Sequence, residues 1–279
     1  MAIILTQDKD FFPQNLKEKF SYLKDVGFDG FEIDGKLLLD QFDEVQEAIA
    51  KTNFPVLTVC GGYSGWIGDF NESKRKKGLD DIALILERLA IIGGKGIVVP
   101  AAWGMFSLRL PPMVPPRSAE DDEKVLLQSL DYLNSIALKN NVGVFLEPLN
   151  RYEDHMINTL EKGAHYIRQG GFSHVRLTAD FYHMNIEESN IPESFQKYSN
   201  YIGHIHLADN HRYQPGSGHT DFKSGFNALK KIGYKGAFAI ECRVIGDQTD
   251  VAYLESLNYI RNISSQLWVH RKVLEVCDY

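Results

Sequence analysis

Four polar side chains end four successive apolar runs in the second half of the chain: Glu147 after VGVFL, Asp180 after VRLTA, His206 after IGHI and Glu241 after GAFAI. Two Glu, one Asp and one His form a ligand set for one divalent cation. Three carboxylates brought together repel one another and raise their own pKa values, and a cation between them removes that penalty. An oxygen-rich set with one imidazole suits a fairly hard ion that keeps positions open for substrate oxygens. Mn2+ is the first expectation, with Mg2+, Co2+ and Zn2+ also admitted. The same carboxylates can move protons. A lone strand-end carboxylate reads as a solvated residue or a helix cap. Four polar groups at intervals of 33, 26 and 35 residues, each about one strand–helix unit, read as a shared site.

Convergence of the four depends on the elements that carry them. Side chains alternate faces along a strand, so Phe145 and Glu147 share a face, as do Thr178 and Asp180, His204 and His206, and Ala239 and Glu241. His204, one layer deeper than His206, reads as a hydrogen-bonded core histidine. Upstream, AIIL, GFDGFEI, PVLTVC and GKGIVVP supply four more strands, and amphipathic stretches separate all eight. These include NLKEKFSYLKDV, a single helix over LLLDQFDEVQEAIAKT, one from about 73 to 92 with its Ile82, Leu86 and Leu89 stripe, and one over 123–139. Others fall near 159–169, 190–200 and 222–232, and a last one runs from about 251 towards 273.

Alternating strands and helices imply parallel pairing with right-handed crossovers. The 279 residues match one (β/α)8 TIM barrel, which takes ~250. The expected fold is therefore a single α/β barrel domain over residues 1–279. A doubly wound sheet would carry a glycine-rich phosphate fingerprint after its first strand, where this chain has TQDKDFFP. Residues 101–122, with Pro111, Pro112, Pro115 and Pro116, exceed ordinary loop lengths and are expected to form a lid.

The net charge of −7 opposes binding to nucleic acid or to anionic membranes. No apolar stretch approaches the ~20 residues of a membrane span. The start, MAIILTQDKD, shows neither a basic opening nor a long apolar run, so a cytoplasmic protein is expected. Cys60, Cys242 and Cys277 have no CxxC spacing and read as reduced thiols.

The motifs around the four residues resemble the sugar phosphate isomerase/epimerase superfamily of xylose isomerase-like barrels, above all its ketose 3-epimerases of the D-tagatose and D-psicose type. LEPLNRYE carries Glu147 and Glu153; DFYHM carries Asp180 and His183; HIHLADNHRYQPGSGH carries His206 and Arg212; GAFAIECR carries Glu241. The resemblance implies metal ligation by Glu147, Asp180, His206 and Glu241, and substrate contacts from Glu153, His183 and Arg212. Trp103, after the fourth strand, resembles a pocket-wall aromatic. The first loop has no counterpart to the family's aromatic substrate contact, and the proline-rich lid is distinctive.

That resemblance implies a metal-dependent isomerase acting on a small carbohydrate, a ketose or ketose phosphate, with C3 epimerisation as the leading reaction. Glu147 and Glu241 come from strands separated around the barrel, so they can flank a substrate as an acid/base pair. Members of the family often associate, which implies a homodimer or homotetramer. Aldose–ketose isomerisation, hydroxypyruvate isomerisation and polyol dehydration suit the same barrel. An apurinic endonuclease of the endonuclease IV type would need further histidines, which TVCGGYS and VVPAAWG lack. Arg109 and Arg117 on the lid are candidates to meet a substrate phosphate.

Overall fold

The computed structural model of this chain describes residues 2–108 and 113–268. Eight parallel strands close into a barrel in sequence order, with β1 hydrogen-bonded to β8. They are β1 (Ile3–Thr6), β2 (Gly30–Asp34), β3 (Val56–Cys60), β4 (Gly96–Pro100), β5 (Gly143–Glu147), β6 (Val175–Asp180), β7 (Ile202–Leu207) and β8 (Ala237–Ile240). The helices are α1 (Leu16–Val26), α2 (Gly35–Asp40), α3 (Phe42–Thr52), α4 (Glu72–Ile91), α5 (Ala119–Asn140), α6 (Leu160–Gly170), α7 (Phe181–Glu187), α8 (Ile191–Lys197), α9 (Phe222–Lys231) and α10 (Thr249–Trp268). The expected single-domain TIM barrel is the observed fold.

Local chemistry sets the element ends. Asn15, Asn71, Ser118, Thr159 and Asp221 accept backbone N–H groups at the starts of α1, α4, α5, α6 and α9. Each such cap is worth roughly 1 kcal/mol. Between strands and helices lies an apolar shell that includes Phe20, Phe31, Ile82, Leu86, Leu130 and Phe226, all fully buried.

Inside the barrel the Phe145 ring stacks on His204, with centroids 5.5 Å apart and planes 15° from parallel. Glycines make that room. A Cβ at Gly96, Gly143 or Gly203 would approach Phe145 ring atoms to 2.6, 2.9 and 2.8 Å. The stacked pair thus forms a floor one layer below the strand ends.

Three helices differ from the sequence reading. The helix expected over LLLDQFDEVQEAIAKT is two, because Gln41 leaves helical geometry at φ −132°, ψ 40° between α2 and α3. Helix α5 begins at Ala119 rather than Glu123. Ser118 caps it, and Glu120, Asp121 and Asp122 suit the positive end of its dipole. The long loop is therefore four residues shorter than expected, and its residues 109–112, with Arg109, Pro111 and Pro112, lie outside the described residues. Helix α7 starts directly after β6, where the sequence had suggested loop, and it carries His183.

Candidate metal centre and sugar pocket

The parallel registers bring the four strand-end residues together. Asp180 on β6 pairs with His206 on β7, which pairs with Ala239 on β8. Two residues on, Glu241 donates its backbone N–H to Leu207 O, which extends the β7–β8 ladder. His206 Nδ1 lies 2.9 Å from Glu147 Oε1, 2.7 Å from Glu241 Oε2 and 3.7 Å from Asp180 Oδ2. One ligand atom from each of the four lies within 4.8 Å of the others. Such a set can hold one divalent ion. The donors fit the task because one imidazole nitrogen and three carboxylate groups converge on one spot, a concentration of negative charge that a cation relieves.

Arg212 balances part of that negative charge. Its Nη1 and Nη2 donate to Asp180 Oδ2 and Glu241 Oε2, each at 2.5 Å, and its guanidinium lies 5.0 Å from the Tyr182 ring centroid. Arg212 adopts φ +65°, in the left-handed region that non-glycine residues seldom enter. Asp209 holds the loop in that shape: it accepts backbone N–H bonds from Asn210, Gly216, Gly218 and Thr220 at 2.8–3.0 Å.

Asp180 serves two purposes. Oδ1 accepts from Tyr182 N (2.6 Å) and His183 N (3.2 Å), capping α7, while Oδ2 faces the cluster. The start of α7 thereby fixes both Asp180 and His183. His183 Nδ1 accepts from Asn150 N at 3.1 Å. Glu153 Oε1 accepts from Asn150 Nδ2 (2.8 Å) and Tyr182 Oη (3.4 Å), and Oε2 accepts from Trp103 Nε1 (3.0 Å). Trp103 in turn packs edge-on against Trp66, centroids 5.7 Å apart.

A cavity of about 650 Å³ opens over this assembly, lined by residues including Gln7, Trp103, Tyr152, Glu153, Arg212 and Glu241. It falls in the size range of small-ligand sites. The structure thus gathers all eight residues singled out in the sequence: Glu147, Asp180, His206 and Glu241 at the centre, and Glu153, His183, Arg212 and Trp103 around it.

Electrostatics divide the two glutamates. Burial pushes Glu147 up to about 7, against the opposing charge and hydrogen bond of His206. Burial acts on Glu241 too, but Arg212 and His206 outweigh it and hold that carboxyl well below the usual range. Asp180 is also lowered, its burial offset by Arg212 and His183. For His206 burial opposes the charged form, yet Glu241, Glu32 and Glu147 raise it well above its ordinary value.

Several neighbours were not read from the sequence. Glu32, in the middle of β2, accepts from Thr58 Oγ1 at 2.6 Å and Gln7 Nε2 at 2.8 Å, and lies 3.0 Å from His206 Nε2. Its signal was present: one acid flanked by the apolar Phe31 and Ile33 inside the strand GFEID. Cys60 Sγ, at the end of β3, lies 3.8 Å from Glu241 Oε1. Cys60 and Cys242 are both free thiols, and Cys277 lies outside the described residues.

The loop arginines fare differently. Arg117 is not a candidate for phosphate: it pairs with Asp122, donates to Gly68 O and Asp69 O, and lies 5.1 Å from the Phe70 ring centroid. Those contacts bind the loop to the segment after β3. Arg109 falls among residues outside the description. His155, read as structural or solvated, is buried against Asp122, 3.1 Å away.

The chain belongs to the Xylose isomerase-like TIM barrel family, whose model matches residues 20–263. Among its relatives is the 3-dehydro-D-guloside 4-epimerase of Escherichia coli (strain K12), 53% identical over 256 residues, which span 92% of this chain and 98% of the relative. The crystal structure of 3-keto-D-glucoside 4-epimerase from E. coli, in its apo form, superposes with a TM-score of 0.92 at 52% identity, covering 94% of this chain and all of that one. A D-psicose 3-epimerase of Enterocloster bolteae is 34% identical over 122 residues, 44% of this chain and 40% of the relative. The resemblance to ketose 3-epimerases is therefore present, over less of the chain than the likeness to the 4-epimerase. With these relatives the chain is an enzyme of the isomerase class. No helix among the described residues is long and apolar enough to cross a membrane.

Proposed function

We propose that this enzyme inverts the hydroxyl-bearing carbon beside the ketone of a sugar, with C4 of a 3-keto glycoside as its first substrate class. The carrying observation is the convergence of Glu147, Asp180, His206 and Glu241 on one spot, with Glu241 also lining a sugar-sized cavity. The near-complete match to a 4-epimerase supports the choice of carbon. Inversion at C3 of a 2-ketose is the same chemistry moved by one carbon. It stays as the second reading, favoured by the LEPLNRYE and DFYHM motifs and by the D-psicose 3-epimerase match.

Glu147, Asp180, His206 and Glu241 would hold one divalent ion, Mn2+ being the first choice. When bound, such an ion polarises the ketone and stabilises the negative charge left as the neighbouring proton departs. Glu147 ends β5 and Glu241 follows β8, so the two carboxylates approach a substrate from different sides. One removes the proton beside the ketone, and the other returns a proton to the opposite face, which inverts the centre. Arg212 and His183 bind substrate oxygens. Glu153, aimed by Asn150 and Trp103, accepts from a substrate hydroxyl. Trp103 and Gly104, at the start of the loop after β4, line the pocket, and that stretch is tied there where Gly104 N donates to Glu153 O and Leu108 N to Arg151 O.

The test is proton NMR of 3-keto glycosides and free 2-ketoses incubated with chelator-stripped and Mn2+-reloaded enzyme. C4 inversion that appears only after reloading is expected. C3 inversion of a free ketose would favour the second reading, and inversion of neither substrate would sink both.

A further inference from the structure

We propose that Glu32 is the positioning residue of this centre: from the far side of His206 it dictates which imidazole nitrogen meets the cation. The proposal rests on the single-metal reading above. A neutral imidazole donates from one nitrogen and offers a lone pair at the other, and the partner of the donor decides which is which. In His206 the two nitrogens face opposite ways. Nδ1 faces Glu147 and Glu241 at 2.9 and 2.7 Å, and Nε2 faces Glu32 Oε1 at 3.0 Å. A carboxylate at Nε2 keeps the proton there and leaves the Nδ1 lone pair for the ion. Such outer partners orient the ring and raise its basicity.

Glu32 is itself held on every side. Oε1 also receives Gln7 Nε2 at 2.8 Å; Oε2 receives Thr58 Oγ1 at 2.6 Å and lies 2.8 Å from His204 Nε2. The His204 contact is close but off-axis for a hydrogen bond. Stacking on Phe145 keeps that ring in place. A fully buried carboxylate is costly unless something needs its charge, and an apolar side chain of similar size would suit a barrel interior better. The ring of His206 is what needs it. Glu32, His204 and His206 lie close enough to ligate an ion themselves. Both Glu32 oxygens are already engaged, however, and all three side chains are at most 1% exposed, so no position stays open for a further ligand. The cluster supports the cation site above it. Gln7 lines the sugar cavity and bonds Glu32, so a single amide links the support to the pocket.

The test is Mn2+ titration of chelator-stripped full-length wild type, Glu32→Gln and Thr58→Val, read by electron paramagnetic resonance of the free ion. It is paired with imidazole 15N NMR of the Zn2+-loaded proteins. Glu32→Gln should bind Mn2+ about 10- to 100-fold more weakly and shift the His206 Nε2–H signal. Thr58→Val removes one donor to Glu32 without touching His206. It should lose about three- to tenfold, and it decides the matter if Glu32→Gln does not fold. Affinity within twofold of wild type would overturn the proposal. So would an unchanged His206 signal in a variant whose affinity has fallen, because that is the mark of a merely structural role. Wild type that takes up no Mn2+ fails the metal reading and the proposal together, whereas wild-type uptake with indifferent variants fails the proposal alone.

Discussion

On the β5–β8 side of the barrel mouth, the polar groups sit at strand ends and share one focus, and Glu241 among them borders the cavity. On the β1–β4 side, Glu32 and Thr58 sit within their strands, closed off from solvent, with their hydrogen bonds completed inside the protein. Both arcs meet at His206, one at each ring nitrogen. The difference is physical. Groups that must reach a substrate sit where the strands stop and loops leave space. Groups that only hold those groups still sit one layer deeper, where packing fixes their rotamers. The first arc should therefore govern turnover and the second the quality of the cation site.

The largest effects are expected on the β5–β8 side. Glu147→Gln and Glu241→Gln, each assayed at saturating Mn2+, should lower kcat by about 10²–10⁴ while the circular dichroism spectrum stays that of wild type. Near-normal turnover in either variant would erase the distinction between the arcs. Asp180→Ala comes next. It removes a proposed ligand and the cap of α7 at once, so Mn2+ affinity, followed by calorimetry, should fall beyond the ~10- to 100-fold loss typical of a supporting residue. The lost cap should cost a further ~1 kcal/mol in thermal unfolding.

A smaller effect follows from pH. Glu147 rests at about 7 without a cation, and a cation takes only its ionised form. Below pH 7 a proton must be displaced first; above it this competition fades. Calorimetry should show Mn2+ affinity about tenfold weaker at pH 6 than at pH 8 from this group alone, with protons released into the buffer. A pH-independent affinity would contradict the raised Glu147. The mildest change is Trp103→Phe, which deletes the donor to Glu153 Oε2 but keeps a ring against Trp66. KM should rise about three- to tenfold with kcat nearly unchanged, in line with the loss of one hydrogen bond.

The same contrast explains what could be read from the sequence. The proposed ligand arc announces itself because a polar residue at the end of an apolar run is repeated at the period of the fold. Glu153, His183 and Arg212 were legible only through motif resemblance, since their offsets have no periodic cause. The support arc has no repeat: Glu32 is a single acid inside a strand, and nothing local says that His204, His206, Thr58 and Gln7 surround it. The break at Gln41 and the early start of α7 were hidden for a related reason. Continuous helical periodicity spans the first, and the cap of the second is Asp180, a residue already claimed as a ligand.

The central claim is that Glu147 and Glu241 handle protons on opposite faces of one substrate carbon. Hydrogen exchange in D2O, followed by NMR for each purified epimer with Mn2+-loaded Glu147→Gln and Glu241→Gln, tests it most directly. The account predicts that each variant still washes deuterium into the carbon beside the ketone of one epimer, a different epimer for each variant, while neither interconverts the two. If one variant exchanges neither epimer and the other epimerises like wild type, a single carboxylate does both steps and the two-face account is wrong.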